Sequence, residues 1–173
     1  MRIFLFLVLF SPLSLHASDC VVLYSLGGER EALQSLRKGL QVDGIEVRVV
    51  QAQRDIGLHL KQAESINEEG CLLFIAFYAE KGVRDSIFVG IPKAVGVSRG
   101  MLLAPDDMPY LYLKESERIA LSIPSAHVRR IPLFPLLGIK APGVFLYVRY
   151  RSTEVLESVA ASLCSALRKG GGR

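Results

Sequence analysis

The stretch Cys71-Leu-Leu-Phe-Ile-Ala-Phe-Tyr-Ala-Glu80 decides the fold of this chain. It is a nearly unbroken apolar run, with Gly70 before it and Lys81-Gly82 after it. A run of this length, bounded by turn residues and containing aromatic and β-branched side chains, is typical of a strand covered on both faces. We therefore interpret it as the central strand of a parallel sheet.

Two strand-helix units precede this strand. The first has an apolar strand at 21–26 and a helix from Glu29, and the second has an alternating strand at 45–50. Its helix is predicted to begin after Asp55, an N-cap residue, and to end at Gly70. The residues predicted to face inward from this second helix are Ile56, Leu60, Ala63 and Ile66. The short β-α-β-α-β links predict parallel strands joined by right-handed crossovers.

Two more strands and two more helices are predicted after residue 82. The strands lie at 86–91 and 144–150, and the helices at 115–123 and from Ser152 onward. The whole pattern predicts one domain, residues 18–169, with a three-layer α/β/α architecture and a mostly parallel, twisted sheet of about five to six strands. Residues 170–173 are expected to form a disordered tail.

Three segments of the second half have no clear periodicity. Residues 92–109 contain glycines and prolines, and we predict a loop with a short strand around Met101. Tyr110-Leu-Tyr-Leu113 is predicted as a brief extended piece. Residues 131–137 are apolar but contain two prolines, which favours an edge segment or a packed loop over a central strand.

The first 17 residues have the organisation of a secretory signal peptide. Arg2 supplies a positive start, an apolar run spans 3–10, and Leu15-His16-Ala17 ends in a small residue. We expect residues 1–17 to be cleaved, which makes the protein periplasmic or secreted, with no transmembrane segment in the mature chain. Two alternatives stay open: an uncleaved anchor, for which the apolar run is short, and a lipid anchor on Cys20.

The charge balance is mildly basic. The chain has 21 Lys and Arg against 17 Asp and Glu, a net charge of +4 that falls to +3 without Arg2. A small and scattered excess suits an anionic envelope polymer or a membrane surface. It does not favour nucleic acid as a partner.

Three cysteines in a chain predicted to be exported raise the question of a disulfide. Cys20 and Cys71 each open a predicted strand, and the first residues of neighbouring parallel strands lie close enough for a disulfide. We therefore favour Cys20–Cys71 over any pair that includes Cys164. The alternative is that all three are buried thiols that act as small apolar side chains.

The chain carries few conventional catalytic motifs. His59 and His127 have no second histidine nearby at metal-ligand spacing, and we interpret both as ordinary histidines. Ser25 lacks the flanking glycines of a nucleophile elbow. Gly27-Gly28 lacks the full spacing of a dinucleotide or phosphate loop, which favours a simple turn.

The predicted strand ends are more informative. Tyr24, Tyr78 and Tyr147 all fall toward the carboxyl ends of strands, where open α/β sheets place their ligand crevices. One interpretation is a sugar- or peptide-binding cleft, in which Arg149 contacts an anionic ligand. The simpler interpretation is ring packing beneath a loop, beside a solvated edge.

The order of elements over residues 21–167 resembles the zinc-dependent N-acetylmuramoyl-L-alanine amidases, which cleave peptidoglycan. In that family a strand ends in Asp-x-Gly-His-Gly-Gly; here Leu26 stands about where the first zinc histidine belongs. A glutamate ligand precedes the first helix, and Glu29 (or Glu31) is similarly placed.

Two later motifs extend the resemblance. The family's Ser-Ile-His-Ala-Asn strand resembles Phe74-Ile-Ala-Phe-Tyr-Ala-Glu80, with Tyr78 in place of the histidine. The family's Pro-Ala-Val-Leu-Val-Glu resembles Pro142-Gly-Val-Phe-Leu-Tyr147, with Tyr147 in place of the catalytic glutamate. The resemblance therefore implies that two of three zinc ligands and the general base are replaced.

A single glutamate cannot hold a catalytic zinc ion. The resemblance thus implies a pseudoenzyme with no cofactor, and a degenerate cleft formed by Leu26, Glu29, Tyr78, Tyr147 and Arg149. Its expected function is that of a binding or regulatory protein at the cell envelope, with peptidoglycan or an envelope protein as its partner. Two alternatives stay open: an active, diverged amidase that recruits zinc through His59 or His127, and an unrelated secreted α/β domain that contacts a partner through residues 92–109.

Overall fold

The computed structural model of the chain describes residues 20–42, 44–93, 104–105, 107–132 and 134–170. The helices and strands are β1 (Cys20–Gly28), α1 (Arg30–Val42), β2 (Glu46–Gln51), α2 (Ile56–Glu68), β3 (Leu73–Lys81), β4 (Ser86–Pro92), α3 (Leu113–Ser122), β5 (Ala126–Ile131), β6 (Gly143–Tyr150) and α4 (Glu154–Gly170). Two 3₁₀ helices span Met108–Tyr112 and Phe134–Leu136. The predicted signal peptide, the short strand expected around Met101 and tail residues 171–173 lie outside the described residues.

The described strands form one six-stranded sheet in the order β2-β1-β3-β6-β4-β5. Every neighbouring pair is parallel except β4 and β6, which run antiparallel. The apolar run forms β3, an interior strand between β1 and β6. The prediction of a three-layer α/β/α fold with a mostly parallel sheet is therefore confirmed.

The two faces of the sheet have different covers. One face packs against α1, α3 and α4 and forms the larger hydrophobic cluster, and we call it the α4 face. The other, which we call the α2 face, packs against α2 and residues 134–141. Buried side chains of β4 and β5 contribute to the cluster on the α4 face, whereas the α2-face cluster draws on β1, β2 and β3, with Phe145 at its margin.

Helix α2 is capped as predicted, but its inward face differs. The Asp55 carboxylate accepts a hydrogen bond from the Leu58 backbone N–H at 2.9 Å, which satisfies one free donor of the first turn. Ile56, the first residue of α2, is 54% exposed, so its predicted inward position is wrong. His59 lies inside instead, four residues before Ala63 on the same helix face.

One further local prediction is wrong. Residues 110–113 are not extended, because they complete a 3₁₀ helix and begin α3. Pro109 lies in the first turn of that 3₁₀ helix, where its fixed φ angle favours helical backbone.

The prediction of an edge segment or a packed loop at residues 131–137 is confirmed. The edge strand β5 ends at Ile131, and residues 134–136 form a 3₁₀ helix whose Leu136 is buried in the α2-face cluster.

Helix α4 extends into the first residue of the predicted tail. Gly170 is the last residue of α4, so the expected disordered tail does not begin there. None of the helices in the described part of the chain is long and apolar enough to cross a bilayer.

Cys20 and Cys71 form a disulfide at the amino ends of the strands. Their Cα atoms lie 4.7 Å apart, and the Leu72 backbone N–H donates to the Cys20 carbonyl at 2.9 Å. The bond occupies the sulfur that a lipid anchor on Cys20 would need. Cys164 is buried in α4 and takes no part in this bridge.

Candidate functional site

The candidate site lies on the α2 face, at the carboxyl ends of three neighbouring strands. Tyr78 of β3 and Tyr147 of β6 are register partners, and their rings stack with centroids 5.9 Å apart and an interplanar angle of 15°. On the other side of β3, Ser25 pairs with Phe77, and Leu26 packs at the margin of the α2-face cluster. The structure therefore brings the Leu26, Tyr78 and Tyr147 positions together.

A hydrogen-bonded group extends two register positions beyond the stacked tyrosines. Glu80 and Arg149 are partners across β3 and β6, and Glu80 Oε1 accepts from Arg149 Nε at 2.9 Å and from Nη2 at 2.7 Å. The same oxygen accepts from the Tyr147 hydroxyl at 2.6 Å, and Arg149 Nη2 also donates to the Tyr147 oxygen at 3.0 Å. Hydrogen bonds thus connect three side chains on two strands, and Tyr78 adds a fourth by stacking on Tyr147.

Hydrogen bonds within this group shift the pKa values of Glu80 and Tyr147 in opposite directions. The Tyr147 hydroxyl and then the Arg149 guanidinium lower the pKa of Glu80, because both donate hydrogen bonds to its ionised form. The same contact with Glu80 raises the pKa of Tyr147, so the phenol stays protonated. Glu80 is a carboxylate that accepts hydrogen bonds from two partners, and Tyr147 is a donor with a half-buried ring. This arrangement favours holding a ligand over accepting a proton from one.

Glu80 was not singled out from the sequence, although a signal for it existed. Residues two apart on a strand lie on the same face, so Tyr78-x-Glu80 and Tyr147-x-Arg149 place two pairs at two strand ends. Only the pairing of β3 with β6 shows that these pairs meet.

Glu29 lies near the same edge but faces different groups. Its backbone N–H donates to the Ala79 carbonyl at 2.9 Å, a close approach that the missing side chain of Gly28, at φ +88°, permits. The pKa of Lys81 is raised mainly by Glu31, and that of Tyr150 mainly by burial. The Glu29 carboxylate adds a smaller increase to both. Tyr150 belongs to the α4-face cluster, so Glu29 acts on the opposite side of the sheet from Tyr147.

Tyr24 and His59 form a separate, buried network beneath α2. The Gln53 backbone N–H donates to the Tyr24 hydroxyl, which in turn bonds His59 Nδ1, both at 2.9 Å. His59 Nε2 lies 3.0 Å from the Leu137 carbonyl, so Nε2 carries the proton and Nδ1 accepts. Burial lowers the pKa of His59, which is therefore a neutral structural residue.

The histidines do not converge on a metal site. His127 lies on β5, whereas His59 bonds Tyr24 of β1. Strands β1 and β5 are four strand spacings of about 4.8 Å apart, which separates them by about 19 Å. Within the described ranges, no group of three His, Cys, Asp or Glu side chains could hold a metal ion. At the strand ends, Leu26 and the two tyrosines do not supply the ligands that zinc requires.

The fold has a solved counterpart. It is similar to the N-acetylmuramoyl-L-alanine amidase AmiC2 of Nostoc punctiforme, with a TM-score of 0.53 and 12% identity over 90% of this chain and 98% of that one. Cwp6 from Clostridium difficile gives a TM-score of 0.46 and 11% identity over 88% of this chain and 29% of that one. No family model and no curated protein sequence matches. The first likeness shows that the chain has an amidase-like α/β fold.

Proposed function

We propose that this protein is an exported, non-catalytic domain with an amidase-like fold that binds peptidoglycan or another component of the cell envelope. The observation that carries the proposal is the group at the strand ends. The positions that the resemblance assigns to a zinc ligand and to the general base hold the stacked pair Tyr78 and Tyr147.

The chemistry of this group supports binding over hydrolysis. Zinc-dependent hydrolysis needs about three protein ligands and a carboxylate that can take a proton from the metal-bound water. Glu80 is the carboxylate in the group, but its pKa is depressed and its Oε1 already accepts three hydrogen bonds. The half-buried rings of Tyr78 and Tyr147 and the exposed Arg149 side chain are better suited to contact a ligand than Glu80 is to act as a base.

The disulfide supports the proposed location. Structural disulfides persist in oxidising compartments, such as the periplasm and the cell exterior. A Cys20–Cys71 bridge therefore fits a mature chain exported after removal of residues 1–17. The mild positive charge of the chain also suits an anionic envelope polymer.

The proposal is tested by metal analysis and by sedimentation with insoluble peptidoglycan. The mature protein, purified without chelators, should hold zinc far below one equivalent and should sediment with the polymer without releasing soluble fragments, also when zinc is added. A tightly held equivalent of zinc together with cleavage would establish an active amidase instead. Absence from the pellet would favour a domain with a protein partner.

A further inference from the structure

The aromatic surface continues beyond Tyr147 across the rest of the sheet. Because β4 runs antiparallel beside β6, Phe88 is the register partner of Tyr147, and His127 of β5 is the partner of Phe88. Tyr78, Tyr147, Phe88 and His127 therefore stand in one line across four strands, on the α2 face. We call these four residues the aromatic row.

The rings of the row form two close pairs, which the pairing of β6 with β4 places side by side. Beyond the stacked tyrosines, the Phe88 and His127 centroids lie 6.2 Å apart, and Phe145 lies 6.2 Å from Phe88 behind the row. Three strand spacings of about 4.8 Å make the row about 14 Å long. Such a length accommodates a short run of rings in an extended polymer better than a single small molecule.

The row is not explained by the hydrophobic core. In the described part of the chain, β4 and β5 bury their apolar side chains on the α4 face, and the α2-face cluster reaches only as far as Phe145. Tyr78, Phe88 and Tyr147 are half-buried, and His127 is exposed. A contiguous apolar surface with a polar rim is a mark of a binding site.

The rim carries an arginine on each of two strands, β6 and β5. Arg149 of β6 lies beside Tyr147, and its charge is paired with Glu80. Arg129, on the same face of β5 as His127, donates from Nε to His127 Nε2 at 2.6 Å. Among the described residues, Arg129 has no carboxylate within ion-pair distance, so its charge is available to an anionic group.

We propose that the aromatic row binds a strand of sugar rings that bears carboxylates. Aromatic ring faces offer flat apolar contact to the C–H faces of pyranose rings, while the rim donates hydrogen bonds to hydroxyl and carboxylate oxygens. This inference rests on the proposed function and deepens it. It assigns recognition to stretches of the peptidoglycan glycan strand that have lost their stem peptides, where the freed lactyl carboxylate can lie near Arg129, and not to the stem peptide.

The test compares three probes with the full mature chain. They are insoluble peptidoglycan, glycan strands stripped of peptide by an amidase, and the stem peptides that the same digestion releases. Binding to the two soluble probes is measured by calorimetry at two salt concentrations. We expect the chain to bind stripped glycan and to ignore stem peptide.

Ring-removing variants test the row itself. Phe88→Ala and Tyr78→Ala should each raise the Kd for stripped glycan by about 3- to 10-fold, the range expected for loss of one aromatic contact. Tyr78→Phe keeps the ring and should therefore lose less affinity than Tyr78→Ala. Arg129→Gln should weaken binding and reduce its dependence on salt, because one ionic contact is lost. Leu121→Ala is the matched control, since Leu121 is 68% exposed on α3, which packs on the α4 face.

The outcomes separate the two proposals. Parent-like affinity of folded Phe88→Ala and Tyr78→Ala, judged by circular dichroism, would overturn the aromatic row and leave envelope binding intact. Binding of stem peptide in preference to glycan would do the same. Failure to sediment with insoluble peptidoglycan would overturn peptidoglycan binding as the proposed function, and with it the inference.

Discussion

The disulfide allows a quantitative prediction. Cys20 and Cys71 are 51 positions apart, and the loop that they close contains β1, α1, β2 and α2. In the chain-entropy description, a cross-link over a loop of this length destabilises the unfolded chain by about 4 kcal/mol at 25 °C. For a domain of this size, its loss should lower Tm by about 8–16 °C.

The assay is urea unfolding followed by circular dichroism. The oxidised chain is compared with the same chain under reductant and with the double variant Cys20→Ala, Cys71→Ala, because both bridged residues are buried and are replaced by a small apolar side chain. Cys164→Ala serves as the control for removing a buried cysteine outside the bridge. Thiol alkylation of the unreduced, denatured protein should modify Cys164 alone.

The reasoning would be refuted by coincident urea transitions of the oxidised and reduced chains. Alkylation of all three cysteines without reductant would refute it more directly. Either result would also remove the support that the bridge lends to an oxidising compartment.

Four further outcomes are expected. Tyr24→Phe removes the hydroxyl that bonds both the Gln53 N–H and His59 Nδ1. The free energy of unfolding, measured by urea titration, should fall by about 2–4 kcal/mol. A value equal to that of the parent would contradict the buried network. Burial lowers the folded-state pKa of His59 below 6.5, so the unfolded chain takes up the proton first as the pH falls. The contribution of neutral His59 to the free energy of unfolding should be fully present above pH of about 6.5 and should decrease as the pH falls toward the folded-state pKa. This pH dependence should vanish in His59→Gln. Glu80, whose pKa is lowered, should lose its contribution in a separate window below pH of about 4.5. Glu80→Gln should return the raised pKa of Tyr147 toward its ordinary value in a phenolate titration, whereas Glu117→Gln, which alters the ion pair with Arg130, should leave it unchanged.

Much of the fold was predictable because it depends on local periodicity. The apolar run that became β3, the helical spacing in α1 and α4 and the Asp55 cap are all encoded within a few residues of each other. The extended prediction for residues 110–113 is wrong for a local reason. Pro109 lies in the first turn of the 3₁₀ helix, and its fixed φ angle favours helical backbone there.

The site was less accessible, because it depends on which strands meet. Tyr78 and Tyr147 could be placed at strand ends, yet their stacking with Glu80 and Arg149 requires the register of β3 against β6. The neighbourhood of Phe88 depends on the antiparallel placement of β4, which no local pattern specifies. Likewise, the tautomer of His59 follows from the Leu137 carbonyl, 78 residues away, which faces Nε2.

The position of β6 has a consequence for how the molecule is made. Among the described strands it is the last along the chain, yet it lies between β3 and β4 and links the two halves of the sheet. An emerging chain that lacks residues 143–150 therefore exposes the unpaired edges of both β3 and β4. The sheet can be completed only after this strand has been made, so the surface that β3, β6 and β4 share is assembled late in folding.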